Sequence, residues 1–236
     1  MERNISKLRA AILTCGANLH VLTTDAELEN IGRVLGATDC IRFLNPYFHR
    51  QLVSEIRWTP EEAEKSKDGL DLSTLELTPA QSAGLRLLRR PNVAALLREI
   101  RGGDAFQDIA VNAFRTSAAA VLVIGRSGDC EQVLRGGRAI QRLWLEATAL
   151  GLSVQPWASH YMYDAAHYFK HAAFDDAELT SLFDLEERFE QAFAGRQPGP
   201  RLLLFRLFHS RPPSARSLRL PIEDILRTGR PPSLNR

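Results

Sequence analysis

One run narrows the possible folds of this chain more than any other: Ser117 to Gly125, SAAAVLVIG, nine residues with no charge among them. A strand that faces water on one side alternates apolar and polar residues. An unbroken apolar run leaves no side for water, and this one is short for a helix. It predicts a strand buried on both faces. RLLLFRLFHS (201–210) reads as the second clear strand, and Leu19 to Thr23 as a shorter β-prone piece after a glycine turn.

Around these pieces the signals are mostly helical. The first residues, ISKLRAAIL, read as the end of a helix. Thr24 to Glu27 has the spacing of a capping box, and Leu28, Ile31 and Leu35 after it share one helical face. Asn45-Pro46 and Thr59-Pro60-Glu61-Glu62 are helix starts, and Phe48, Leu52 and Ile56 repeat at four. Lys65 to Thr78 is polar and reads as a long loop. Helical pieces return over 79–100, interrupted by Pro91. Asp104 can cap a helix whose Phe106, Ile109, Ala110, Ala113 and Phe114 line one face. A further helix spans about 132–150, with Ile140, Leu143, Trp144, Ala147 and Leu150 on its apolar side. Gly151 stands where a helix stops in the left-handed conformation, with Leu152 as its apolar follower. The exit, LSVQPW, runs to Pro156, which cannot donate a backbone hydrogen bond, and so bares a ledge of backbone. From Asp175 on, Leu179, Leu182, Phe183, Phe189 and Phe193 mark another helix. The tail SARSLRLPIEDILR is basic, then weakly helical, and 226–236 reads as loose. With no repeat or linker, the expectation is one α+β domain over 1–236, a small central sheet surrounded by helices.

Charge excludes some partners. Thirty basic against 28 acidic side chains leave a net +2, which gives no case for nucleic-acid or membrane attraction. Cys15, Cys40 and Cys130 form no close pair, which suits a reducing compartment. No apolar run approaches the roughly 20 residues that span a bilayer, and the N-terminus lacks a signal-peptide pattern, so the expectation is a soluble, cytoplasmic protein.

Chemistry-bearing motifs are sparse. No dinucleotide fingerprint, phosphate-binding P-loop, HExxH or CxxC is present. Gly102-Gly103 and Gly136-Gly137 read as plain turns at helix boundaries. His167 and His171 in HYFKH have the i, i+4 spacing that can hold a metal, with His160 as a third ligand, but a solvated or half-buried helix face explains them better, and no metal site is assigned. Cys15 and His20 are a conceivable pair of reactive thiol and imidazole, though nothing in the sequence makes them meet. Asn18, after the turn in LTCGANLH, can offer donor and acceptor to a flat heterocycle. Arg216 and Arg219 have the guanidinium groups that suit a phosphate.

LTCGANLHVL, GGRAIQRLWLEATALGLSVQPW and RLLLFRLFHSRPPSARSLRLP, in this order, resemble segments of the flavin-dependent nitroreductase family, over about residues 7–225. Arg50 to Leu77, with its tryptophan and Asp-Gly pair, resembles a divergent branch of it. Some members of that branch sit beside an adenylyl-transferring module, and some sequester flavin. The resemblance implies an α+β fold with a mixed or antiparallel sheet that binds FMN, as a homodimer with flavin at the interface. It implies hydride transfer from NAD(P)H through FMN to a nitroaromatic, quinone or other small acceptor, with no catalytic side chain required. Its alternative is a flavin-holding or interaction domain without turnover. The ring contacts would fall on Cys15, Gly16 and Asn18, and on Pro156, Trp157, Ala158 and Ser159. The phosphate contact would fall on Arg216 or Arg219. The sequence departs from the family in three places: the N-terminal arginine-serine motif has no counterpart before Leu8, Cys15 replaces a serine, and His20 a glutamine.

Overall fold

The computed structural model describes residues 2–195 and 197–226. The expected loose end lies, past Leu226, outside them. The chain opens with α1 (Glu2–Leu13), turns into β1 (Asn18–Leu22) and continues through α2 (Asp25–Leu44) and α3 (Pro46–Glu55). A small excursion follows: β2 (Ile56–Arg57), α4 (Pro60–Ser66), β3 (Leu70–Asp71), α5 (Pro79–Leu88) and α6 (Pro91–Glu99). Then come α7 (Asp104–Arg115), β4 (Ala119–Ile124), α8 (Cys130–Ala149), β5 (Ser153–Trp157), α9 (Tyr161–Phe169), α10 (Asp176–Ala192) and β6 (Arg201–Phe208). The class is α+β with a small antiparallel sheet, as expected. Its strand order is β1-β4-β6-β5, and every pairing is antiparallel.

The strand read from SAAAVLVIG is β4, and all six of its residues are buried. The pleat divides them. Ala119, Val121 and Val123 face one core, with Ile5, Leu8 and Ile12 of α1 and Ala139, Leu143 and Ala147 of α8. Ala120, Leu122 and Ile124 face the other, with Ile31, Val34 and Leu35 of α2, Tyr163 of α9 and Leu182 and Phe189 of α10.

Local signals held where they are self-contained. Thr24 and Glu27 close the capping box on α2. Asn45 joins α2 to α3: its Oδ1 accepts from the Tyr47 and Phe48 amides, while its Nδ2 donates to the Ala173 carbonyl and to Glu178. Gly151, at φ +70°, ends α8 as expected, and the Leu152 amide reaches back to the Ala147 carbonyl.

Asp104 does not cap α7: it is the first residue of the helix, and Gly103 before it is the cap position, with no side-chain cap bond. Four further expectations need correction. Lys65–Thr78 is not all loop: it finishes α4 and supplies β3 and a 3-10 turn over Leu72–Leu75. The Arg57 guanidinium organises it by bonding Ser66, Asp68 and the Ser54 carbonyl. Gly136 is no boundary turn. It lies inside α8, where a Cβ would come within 2.6 Å of Leu202, so its lack of a side chain lets the helix press on β6. Trp144, placed in the apolar face by period, is 38% exposed and meets the Phe205 ring edge to face. The Leu152–Trp157 ledge is mostly β5, paired along β6. As an edge strand it tolerates Pro156.

Candidate functional site

The α1 C-terminus makes the most distinctive local geometry. The Cys15 amide donates to the Ile12 carbonyl and the Gly16 amide to that of Leu13. Gly16 has φ +73°, a conformation glycine adopts at no steric cost, and this reverses the chain into Asn18. Cys15 is buried, and the Asn18 side chain donates to Gln197.

Against this turn lies a cleft of about 250 Å3, lined by Thr14, Cys15, Arg135, Arg138 and Arg142. The arginines are at i, i+3 and i+7 on α8, which puts them on one side of it. Arg142 donates to the Thr14 hydroxyl at 2.9 Å, and Arg135 pairs with Glu131 at 2.6 Å. A Cβ on Gly16 would lie 3.5 Å from the Arg126 guanidine, so a fourth cation borders the same turn. Sequence reading passes over these arginines, because charges on a helix ordinarily mark a solvated face. Their spacing is visible in LRGGRAIQRLW, but the wall that faces them comes from Thr14.

The remaining expected contacts are placed elsewhere. Asn18 and Trp157 stand on opposite edges of the sheet, three strand spacings or about 14 Å apart across it, and are further offset along the strands, since Asn18 is level with Arg201 and Trp157 with Leu204. Trp157 and Ser159 turn inward: the indole donates to Asp39 at 3.1 Å and the hydroxyl at 2.5 Å. Pro156 is exposed on β5, and Ala158 follows the strand. Arg216 and Arg219 are exposed in the tail that leaves after Phe208. That end of the sheet is opposite to the one where Asn18 pairs with Ile124 and Ile124 with Arg201. The tail is anchored there by Ser214, whose amide and hydroxyl both donate to Glu76. One chain therefore brings Cys15, Gly16 and Asn18 together, and Trp157 with Ser159, but does not join those two groups, and among the described residues the tail arginines make no hydrogen bond or ion pair with either.

The Asp39 corner is a closed polar network. Burial pushes its carboxyl up to about 6, against the opposing pull of the Ser159 and Trp157 hydrogen bonds and of Arg42. His160 is fully buried and stacks near Phe189. Its Nδ1–H donates to the Trp157 carbonyl, and its Nε2 has no hydrogen-bond partner among the described residues. Burial, with help from Arg201, pulls its ring down to about 4. Thr38 and Tyr163 share a hydrogen bond close by.

The histidines do not converge. His167 bonds Glu186 and His171 pairs with Asp176, while His160 is in the core. Among the described residues no cluster of three or more His, Cys, Asp or Glu could hold a metal. Cys15 and His20 serve opposite faces of the sheet, Cys15 in the α1–α8 core and His20 edge-on to Phe193. No helix among the described residues is long and apolar enough to cross a membrane.

No family model matches this chain. It is similar to an uncharacterized protein of Mycobacterium tuberculosis (strain CDC 1551 / Oshkosh), at 31% identity over 207 residues, which is 86% of this chain. The match spans 28% of that relative's length, so this chain corresponds to one part of a longer protein.

Proposed function

We propose that this chain is a nitroreductase-like FMN domain that passes hydride from NAD(P)H through the flavin to a small acceptor such as a nitroaromatic or quinone. The observation that supports it best is the Thr14–Gly16 turn, which opens on an arginine-lined cleft and leads straight into Asn18. The side chains there suit the cofactor: guanidinium groups match phosphate oxygens, and an amide can address a flat polar ring. When bound, FMN supplies the hydride chemistry, and the chain's part is to bind, orient and exclude water. In this reading Asn18 and the Cys15–Gly16 turn meet the ring. Pro156, Trp157, Ala158 and Ser159 would reach a flavin from a second copy, with Arg216 or Arg219 on the phosphate.

A homodimer belongs to the same reading. Leu13 of α1 and Leu134 and Leu145 of α8 are exposed, Leu134 by 73%, and Leu134 and Leu145 share a side of α8 next to the arginines. Apolar surface of this kind fits a partner, and a second copy there would border the cleft.

A second reading is a flavin-holding domain without turnover, working beside another module of a longer chain. What favours it is that the match covers 28% of the longer Mycobacterium tuberculosis relative. An absorbance spectrum of the purified protein decides. Yellow protein bleached by NADPH supports the enzyme, and yellow protein that NADPH leaves unchanged supports the second reading. Colourless protein that takes up no added FMN defeats both. Light scattering on the eluting protein checks the dimer: a monomer mass at high concentration removes it.

A further inference from the structure

The cleft at the end of α1 supports a more specific statement about its ligand. Three guanidinium groups line it, and no carboxylate does. All three side chains are exposed, so water and salt screen much of their mutual repulsion, and a counter-charge in the cleft relieves what is left. Arg135 has one in Glu131 on the preceding turn. Arg142 is held only by a neutral hydroxyl, that of Thr14. Arg138 has no hydrogen-bond or ion-pair partner among the described residues. Two cations therefore face the cleft unmatched, with Arg126 adding field from behind Gly16. Because Thr14 belongs to a different element from α8, it fixes the Arg142 head before any ligand arrives. Holding that side chain in place lowers the ordering cost of binding. The cleft's volume of about 250 Å3 leaves room for a phosphate and the group that bears it.

We propose that this cleft binds the phosphate group of a small organic phosphate, held by Arg138 and Arg142. If FMN is the source, its phosphate contact lies on α8 in place of the tail arginines, Arg216 or Arg219. The same chemistry could come from two sources, the phosphate of FMN or that of NADPH. The binding of phosphate itself does not depend on the flavin reading.

The test is titration calorimetry in low-salt buffer with inorganic pyrophosphate, FMN and NADPH in turn. It compares the wild-type chain, the double variant Arg138→Gln/Arg142→Gln, and the control Arg33→Gln, which removes an exposed arginine on α2. The wild type is expected to take up one pyrophosphate per chain. The double variant should bind it about a hundredfold more weakly, roughly tenfold for each charge-assisted hydrogen bond, while the control is unchanged. Thermal midpoints should agree across the three proteins. If the double variant does not fold, Arg138→Gln alone, at a side chain with no partner, should still lose about tenfold. Parallel loss of FMN binding identifies flavin as the source, and parallel loss of NADPH binding alone identifies the nicotinamide nucleotide. Pyrophosphate uptake by a protein that takes no FMN upholds this proposal and removes the flavin one. Absent pyrophosphate binding, or equal affinity in the arginine variants and the wild type, overturns it.

Discussion

The two faces of the central sheet treat polar groups in opposite ways. On the α2–α9–α10 side, Asp39 is answered by Ser159 and Trp157, and Thr38 by Tyr163, inside the core; of the polar groups described above on this side, only the His160 Nε2 lacks a partner. On the α1–α8 side the core proper is apolar, and the cations stand at its rim, open to water and short of partners. The difference separates two meanings of a polar side chain. One that is buried and answered by its neighbours is part of the scaffold. One that is exposed, grouped with its like and left unanswered is available to something outside. The strongly shifted carboxyl and imidazole, Asp39 and His160, are on the scaffold side, and the available charge is on the other, away from them.

Three measurements can break or sharpen that contrast. The largest effect belongs to packing on the closed side. Phe189 is fully buried, and Phe189→Ala should cost about 3–5 kcal/mol in urea unfolding. A loss near zero would mean that this core is not formed as described.

Next comes pH. Asp39, with a folded value of about 6 against 3.8, contributes stability that is present below 3.8 and lost as pH rises through 6. His160, at about 4 against 6.5, contributes stability that is present above 6.5 and lost as pH falls through 4. Between about pH 4 and 6 the two oppose each other, so they leave the wild type nearly flat there. Asp39→Asn should expose the histidine, with stability falling on acidification. His160→Gln should expose the carboxyl, with stability rising. Each slope is on the order of 1.4 kcal/mol per pH unit at most. Urea midpoints across that range check the signs, and identical profiles for all three proteins would refute the opposition.

The smallest effect lies on the open side. Trp144→Ala should cost only about 1 kcal/mol, an edge contact with Phe205 and part of a ring, because more than a third of the side chain meets water. A loss of 3 kcal/mol or more would mean that a partner covers the ring in solution.

What could be read from the sequence followed the range of the interactions. The capping box at Thr24, the Asn45-Pro46 start and the β4 run depend on neighbours a few residues away, and all three were legible. β5 was harder to read because it is short, carries a proline and takes its partner from β6, some fifty residues on. Trp144 went astray because helical period gives a direction but not the width of the buried stripe. Asp39 gave no sign at all, since Trp157 and Ser159 are far along the chain. The cleft was half legible: three arginines at helical spacing were there to see, but the Thr14 wall opposite them was not.

The position of β4 bears on how the molecule comes into being. Its two pairing partners come from far apart, β1 before α2 and β6 after α10. On a ribosome, β1 and α1 emerge long before β4 exists, and β4 waits again through α8, β5, α9 and α10 for β6. Pairing over such separations is slow, since each closure orders a long stretch of chain before any contact rewards it. Until the last strand arrives, the most apolar segment of the protein has an open edge, a template for pairing with other nascent chains. Yield in a cell should therefore depend on how fast the final third of the chain is made and on whether a chaperone holds β4 in the interval.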